Sequence, residues 1–201
     1  MSKTQDRYVQ LLGLAKSRID HGFSQVGRRL SPADAAQRAL MMLASRAVAI
    51  SNALMLLALN NHANEGLPLL RSLLQLAVEM RWIAEKEGGK RAEEFFEHHR
   101  DADWDKLWST GRLRERMRHL GFQKSLEERA LMSCYDHLHA NAQGLPWGHV
   151  FADNAQKGVT AEEALRSACA IMGHVIKALD LHWPGMFPEA EQWWEKSDTR
   201  Q

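Results

Sequence analysis

Cysteine is nearly missing from this chain. Only Cys134 and Cys169 are present, far apart and without a Cys-x-x-Cys pair. That excludes a disulfide scaffold, a zinc knuckle and a dithiol redox site. Histidine is commoner, with ten residues, yet none follows a glutamate by three positions and no His-Glu-x-x-His occurs. Both helical metal templates, the di-iron pair and the zinc-protease motif, therefore fail. There is no glycine-rich phosphate loop of Walker or Rossmann type, and no Gly-x-Ser-x-Gly elbow. Neither sign of charge dominates: 26 Lys and Arg against 25 Asp and Glu leave +1. A generally basic nucleic-acid binder is thus excluded, and any basic patch has to be local. The N-terminal "MSKTQDRYVQLLGLAKSRID" has no apolar run of leader length. The most apolar stretch, "AVAISNALMLLALN" at 47–60, is shorter than the ~20 residues that span a bilayer. These absences lead us to expect a cytoplasmic protein with no membrane association, no metal and no cofactor.

What is present is helical pattern. Apolar content of 45% and charged content of 25% are those of a globular domain, and 201 residues suit a single one with a sizeable core. Prolines and glycines gather at breaks, and no segment alternates over a strand's length. Three capping boxes set a hydroxyl three residues before a carboxylate: Ser31-Pro-Ala-Asp34, Ser125-Leu-Glu-Glu128 and Thr160-Ala-Glu-Glu163. Pro32 would then occupy a first helical position. The expected architecture is an all-α, single-domain bundle of six to eight helices, at 4–22, 32–61, 67–87, 90–109, 112–120, 126–142, 161–182 and 188–197. Gly88-Gly89, Gly111 and Gly121 separate consecutive helices. One long loop, 143–159, interrupts the order, and loops of that length in compact domains are commonly functional.

Helix 67–87 holds most of the chemistry we can read. Leu69, Leu73, Leu76, Met80 and Ile83 share a face, with Leu70, Leu74 and Ala77 beside it. So wide an apolar arc is sandwiched between neighbours or buried in a homodimer. Its polar residues Arg71, Gln75 and Glu79 stand four apart on another face, either as a solvent stripe or as a ladder into a cleft. In a cleft, Arg71 would hold an anion, since a guanidinium presents a rigid fork of donors to phosphate or carboxylate. In "RLRERMRH" (112–119) the arginines Arg112, Arg114, Arg116 and Arg118 alternate, so on a helix they do not form one stripe. Adjacent His98 and His99 diverge by about 100° and cannot readily share an ion. Further on, "YDHLHANAQGLPWGH" (135–149) concentrates three histidines. His137 and His139 diverge by about 200° on a helix, so a metal cage is disfavoured. Tyr135, His139, Trp147 and His149 are instead candidates to line a pocket mouth beside the long loop.

Two resemblances bear on these residues. "GLPLLRSLLQLAVEMRWIAEKEG" followed by "YDHLHANAQG" resembles an uncharacterised family of bacterial all-helical proteins, a domain of unknown function, over residues 35–150. The family pattern sets Glu four residues after the ladder Arg, and Tyr, Ser and His at spacings of four on the later helix. Arg71 and Tyr135 fit it, whereas Gln75, His139 and Gln143 depart from it. The chain is also similar to HEPN domains, helical ribonucleases that place a His four to six residues after an Arg. Arg114 and His119 are the nearest match, and that resemblance implies metal-independent RNA cleavage. The function expected from the residues is a helical binding module with a polar cleft for an anionic small molecule or RNA. The enzyme alternative is a HEPN-like ribonuclease using Arg114 and His119.

Overall fold

The structure, a computed structural model, describes residues 3–100, 110–122 and 159–187. Among them it contains six α-helices, one 3-10 turn and no strand, which makes the protein an all-α bundle. The helices expected at 126–142 and 188–197 lie outside the described residues, as does the loop at 143–159 apart from Val159.

Helix α1 (Lys3–Val26) buries Tyr8, Leu12, Ala15, Ile19, Gly22 and Val26, spaced alternately four and three apart and so aligned on one side. It runs past the expected end at residue 22 because Gly22 there is a packing position. A Cβ on Gly22 would lie 2.2 Å from the Phe187 ring, so only glycine lets Phe187 dock. A 3-10 turn (Gly27–Arg29) leads toward α2 (Ala35–Leu59).

Helix α2 starts three residues later than Pro32. Its cap is Asp34, whose carboxylate accepts from the Gln37 backbone N–H at 3.0 Å. The Gln37 side chain in turn accepts from the Ser31 N–H at 2.9 Å. Ser31 to Asp34 is therefore a turn closed onto the helix, with Asp34 and not Ser31 as the capping side chain. By length and composition α2 is able to cross a membrane. In this bundle Ala36, Ala39, Leu40, Leu43, Ala44, Ala47, Ile50 and Leu54 are buried along it, and its small residues let neighbouring helices approach closely.

Helix α3 (Leu67–Ala84) is the centre of the molecule. Leu70, Leu73, Leu74, Leu76, Ala77, Met80 and Ile83 are all buried, between α2 on one flank and α6 (Ala161–His182) on the other. The apolar arc is thus used within one chain. Helix α6 begins with the expected capping box. Glu163 N–H donates to the Thr160 hydroxyl at 3.2 Å, and the Thr160 N–H donates back to Glu163 at 2.9 Å. The Thr160 N–H and hydroxyl, both donating to the Glu163 carboxylate, hold that carboxyl below its usual range. Against α1, the Cys169 thiol donates to the Tyr8 carbonyl at 3.4 Å, and burial pushes that thiol up to about 12, so it is inert in the folded state.

Two shorter helices complete the described fold, α4 (Gly88–Arg100) and α5 (Thr110–His119). Gly88 opens α4 instead of closing α3. Helix α3 stops at Ala84, and Glu87 reverses the chain with a positive φ of 64°. A Cβ at Gly88 would stand 2.4 Å from the Ile83 carbonyl oxygen, so glycine permits the tight α3–α4 corner on which the site below is built.

Candidate functional site

The polar ladder of α3 does not stay in solvent. Arg71 and Gln75 are half-buried, and one turn further Glu79 is only 4% exposed. Trp82, three residues beyond Glu79, extends the same face. Helix α5 lies against this end of α3. Leu113 and Met117, four apart, are buried beneath it. The Phe122 N–H returns to the Met117 carbonyl at 2.8 Å, ending the helix. With Leu113 and Met117 inward, Arg112, Arg116 and His119 fall on the adjoining face at spacings of four and three.

These side chains converge on Trp82. Arg116 donates to the Glu79 carboxylate, and its guanidinium carbon is 5.6 Å from the Trp82 ring centre. Arg91 of α4 stacks at 3.6 Å over the same ring and donates to the Trp82 carbonyl at 2.6 Å. Such cation–π contacts are worth about 0.5–2 kcal/mol each. His119 meets the Trp82 ring edge-on, with centroids 5.1 Å apart and planes at 76°. Glu85 ties the group together: its carboxylate lies 3.3 Å from His119 Nε2 and 3.7 Å from Arg91. Beside the ring opens a cleft of about 490 Å³, lined by Trp82, Glu94, Arg112, Glu115, Arg116, Arg118 and His119.

Burial is the largest influence on Glu79 and raises its carboxyl above the ordinary value, while Arg116 and then Arg112 pull the other way. On a different face of α3, Arg81 is also buried. Its Nη1 is 3.3 Å from His174 Nδ1, and since a guanidinium only donates, that ring nitrogen accepts. His174 stacks on Phe122 with centroids 4.0 Å apart. Arg81 Nε has no hydrogen-bond partner among the described residues, and burial lowers the group's pKa against the pull of Glu85. This cluster joins α3, α6 and the end of α5 behind the cleft.

Of the residues singled out from sequence, Glu79 and His119 take part in this site. Arg71 and Gln75 stand two turns and one turn away on the same helix. Arg114 is exposed on α5 and is not among the lining residues. Tyr135, His139, Trp147 and His149 lie outside the described residues. Sequence reasoning placed none of Trp82, Glu85 or Arg91 in a site, and read Arg112, Arg116 and Arg118 as alternating arginines that do not form one stripe. Two signals were available. The ladder step 71, 75, 79 continues naturally to 82, and within the alternating arginines the subset 112, 116 and 119 shares one helical face.

A family model described as "Family of unknown function (DUF5677)" matches residues 37–144. The chain belongs to this family. The match takes in α2 from residue 37 onward and all of α3, α4 and α5, so every residue of the Trp82 cleft falls inside the DUF5677 region. It also agrees with the resemblance drawn from Arg71 and Tyr135. No curated protein and no solved structure matches the chain, and the similarity to HEPN domains gains no support from the DUF5677 match.

Proposed function

We propose that this protein is a binding module whose Trp82 cleft takes an anionic small molecule, a phosphate ester foremost. One observation carries the reading: Arg112, Arg116, Arg118 and His119 gather with an aromatic ring on one cleft, in a chain whose total charge is only +1. A local concentration of guanidinium groups beside low-dielectric aromatic surface suits phosphate, because Arg offers paired donors and binds it without proton exchange. Arg118 has no ion pair among the described residues, so its donors stand ready. Trp82, held from one side by Arg91, supplies the apolar wall such sites commonly have.

A thermal-shift series with sulfate, inorganic phosphate and nucleotides tests this. At a ligand concentration a hundredfold above Kd, stabilisation is about 2.7 kcal/mol, which for a domain of this size is a rise of roughly 5–10 °C. No shift with any of these anions counts against the proposal.

One contact favours a second reading, metal-independent RNA cleavage. His119 is exposed yet held by the Glu85 carboxylate at 3.3 Å, the arrangement by which an acid orients an imidazole for proton transfer. The phosphate-steadying role then passes from Arg114 to the arginines that line the cleft. Here RNA should be cut in the presence of EDTA, and His119→Ala should lower the rate by at least about a hundredfold. Cleavage that survives this substitution removes His119 from the chemistry.

A further inference from the structure

Arg116 answers to two partners. Its guanidinium is bonded to Glu79 in the interior, and the same side chain lines the cleft. Glu79 sits among the buried residues of α3, with Val78 and Met80 beside it in sequence and both fully enclosed. Among the described residues the charges acting on Glu79 come from α5 alone, Arg116 first and then Arg112. An oxyanion entering the cleft therefore competes with Glu79 for the same N–H donors.

The two outcomes of that competition differ by a proton. While Arg116 faces inward, Glu79 has a cationic partner that favours its carboxylate. Once Arg116 turns to a ligand, Glu79 would remain as a carboxylate in an apolar setting. An unpaired buried charge is far costlier than the neutral acid, and groups so placed take up a proton instead. We propose that Glu79 is the counter-ion an anionic ligand displaces from Arg116, and that the cleft takes one proton from solvent with each anion it binds. The inference rests on the anion-binding reading above and adds to it a mode of regulation: binding strengthens as the pH falls. Burial raises the Glu79 carboxyl even against the pull of Arg116, so loss of that pull acts in the same direction.

Other titratable groups share the site. Glu94, Glu115 and His119 line the cleft, and Glu85 sits against His119. His119 is one rival, because a protonated imidazole would also accompany an incoming anion. The cleft carboxylates of Glu94 and Glu115 are the others, because a bound anion disfavours their charge. These sources separate by substitution.

The test is calorimetric titration of the full-length protein with sulfate, which stays doubly charged across the neutral range, at a series of pH values. The affinity should rise toward tenfold for each unit the pH falls, the slope that linkage assigns to one proton taken up. The slope should persist in His119→Gln, whatever the absolute affinity. It should vanish in Glu79→Gln, whose amide oxygen still accepts from Arg116 but cannot titrate. A pH-independent affinity in the wild type overturns the proposal while leaving anion binding intact. A slope that disappears in His119→Gln assigns the proton to His119 and also overturns it. Should Glu79→Gln fail to fold, a slope kept in both His119→Gln and the Glu94→Gln/Glu115→Gln double variant supports the proposal, and its loss in either overturns it. Absence of sulfate binding at every pH sinks the anion-binding reading, and this proposal with it.

Discussion

Arg116 is the residue at which the core and the cleft meet, and its removal separates their energetics. Arg116→Ala leaves Glu79 buried without its partner, a cost of about 1–3 kcal/mol for an unsatisfied buried group and more if it must stay charged. The sign with pH follows from the direction of the shift. A carboxyl whose folded-state pKa lies above its unfolded value contributes its full stability below the unfolded value, near 4.3, and loses it as pH rises through the folded value. Losing Arg116 raises the folded value further. Urea unfolding of Arg116→Ala and wild type at about pH 5 and about pH 8 should therefore show the gap between them widening toward alkaline pH. A gap that narrows would mean Glu79 is not the group left stranded. At this scale the sequence was legible in part. Glu79 could be placed on a polar face by its spacing from Arg71 and Gln75. Its partner could not, because which of four alternating arginines turns inward depends on how Leu113 and Met117 seat α5.

Helices in this protein are best read where their ends carry explicit chemistry. Helix α6 has its expected bounds, Ala161 and His182, because Thr160 and Glu163 satisfy the first orphan donors reciprocally. Thr160→Ala should cost about 1 kcal/mol, seen as a fall in Tm of roughly 2–4 °C. Glu163 is held below its usual range by the Thr160 N–H and hydroxyl. Its contribution is thus present above the unfolded carboxyl value and lost as pH falls through the folded one. The Thr160→Ala penalty should accordingly shrink in acid, and a penalty constant with pH would show that the cap acts without the Glu163 charge. Where the chemistry at an end is ambiguous, tertiary packing decides instead. The first helix, expected to end at residue 22, continues to Val26 because Gly22 is a seat for Phe187. Gly88 reads as the close of one helix but opens the next. Ser31 reads as the cap with Asp34 as its acidic partner, whereas it is the Asp34 side chain that accepts from the Gln37 N–H, which places the start at Ala35.

For the whole molecule, hydrophobic periodicity was enough for the all-α class and for the central place of α3. It was not enough to say what covers that helix. An apolar arc looks the same whether it faces α2 and α6 of its own chain or a second copy, and only the topology shows that it is consumed internally. The cleft is likewise a product of topology: Trp82, Arg91 and the basic face of α5 come from three helices that no local spacing links. Anion binding by that cleft is the central claim, and a paired affinity measurement tests it most directly. The wild type and the Arg112→Ala/Arg118→Ala double variant should be titrated with the same phosphate ester at fixed salt, with circular dichroism to verify equal folding. Removing each charge-assisted hydrogen bond should weaken binding about tenfold or more, so the variant should bind about a hundredfold less tightly. Equal affinity in two equally folded proteins would contradict the account.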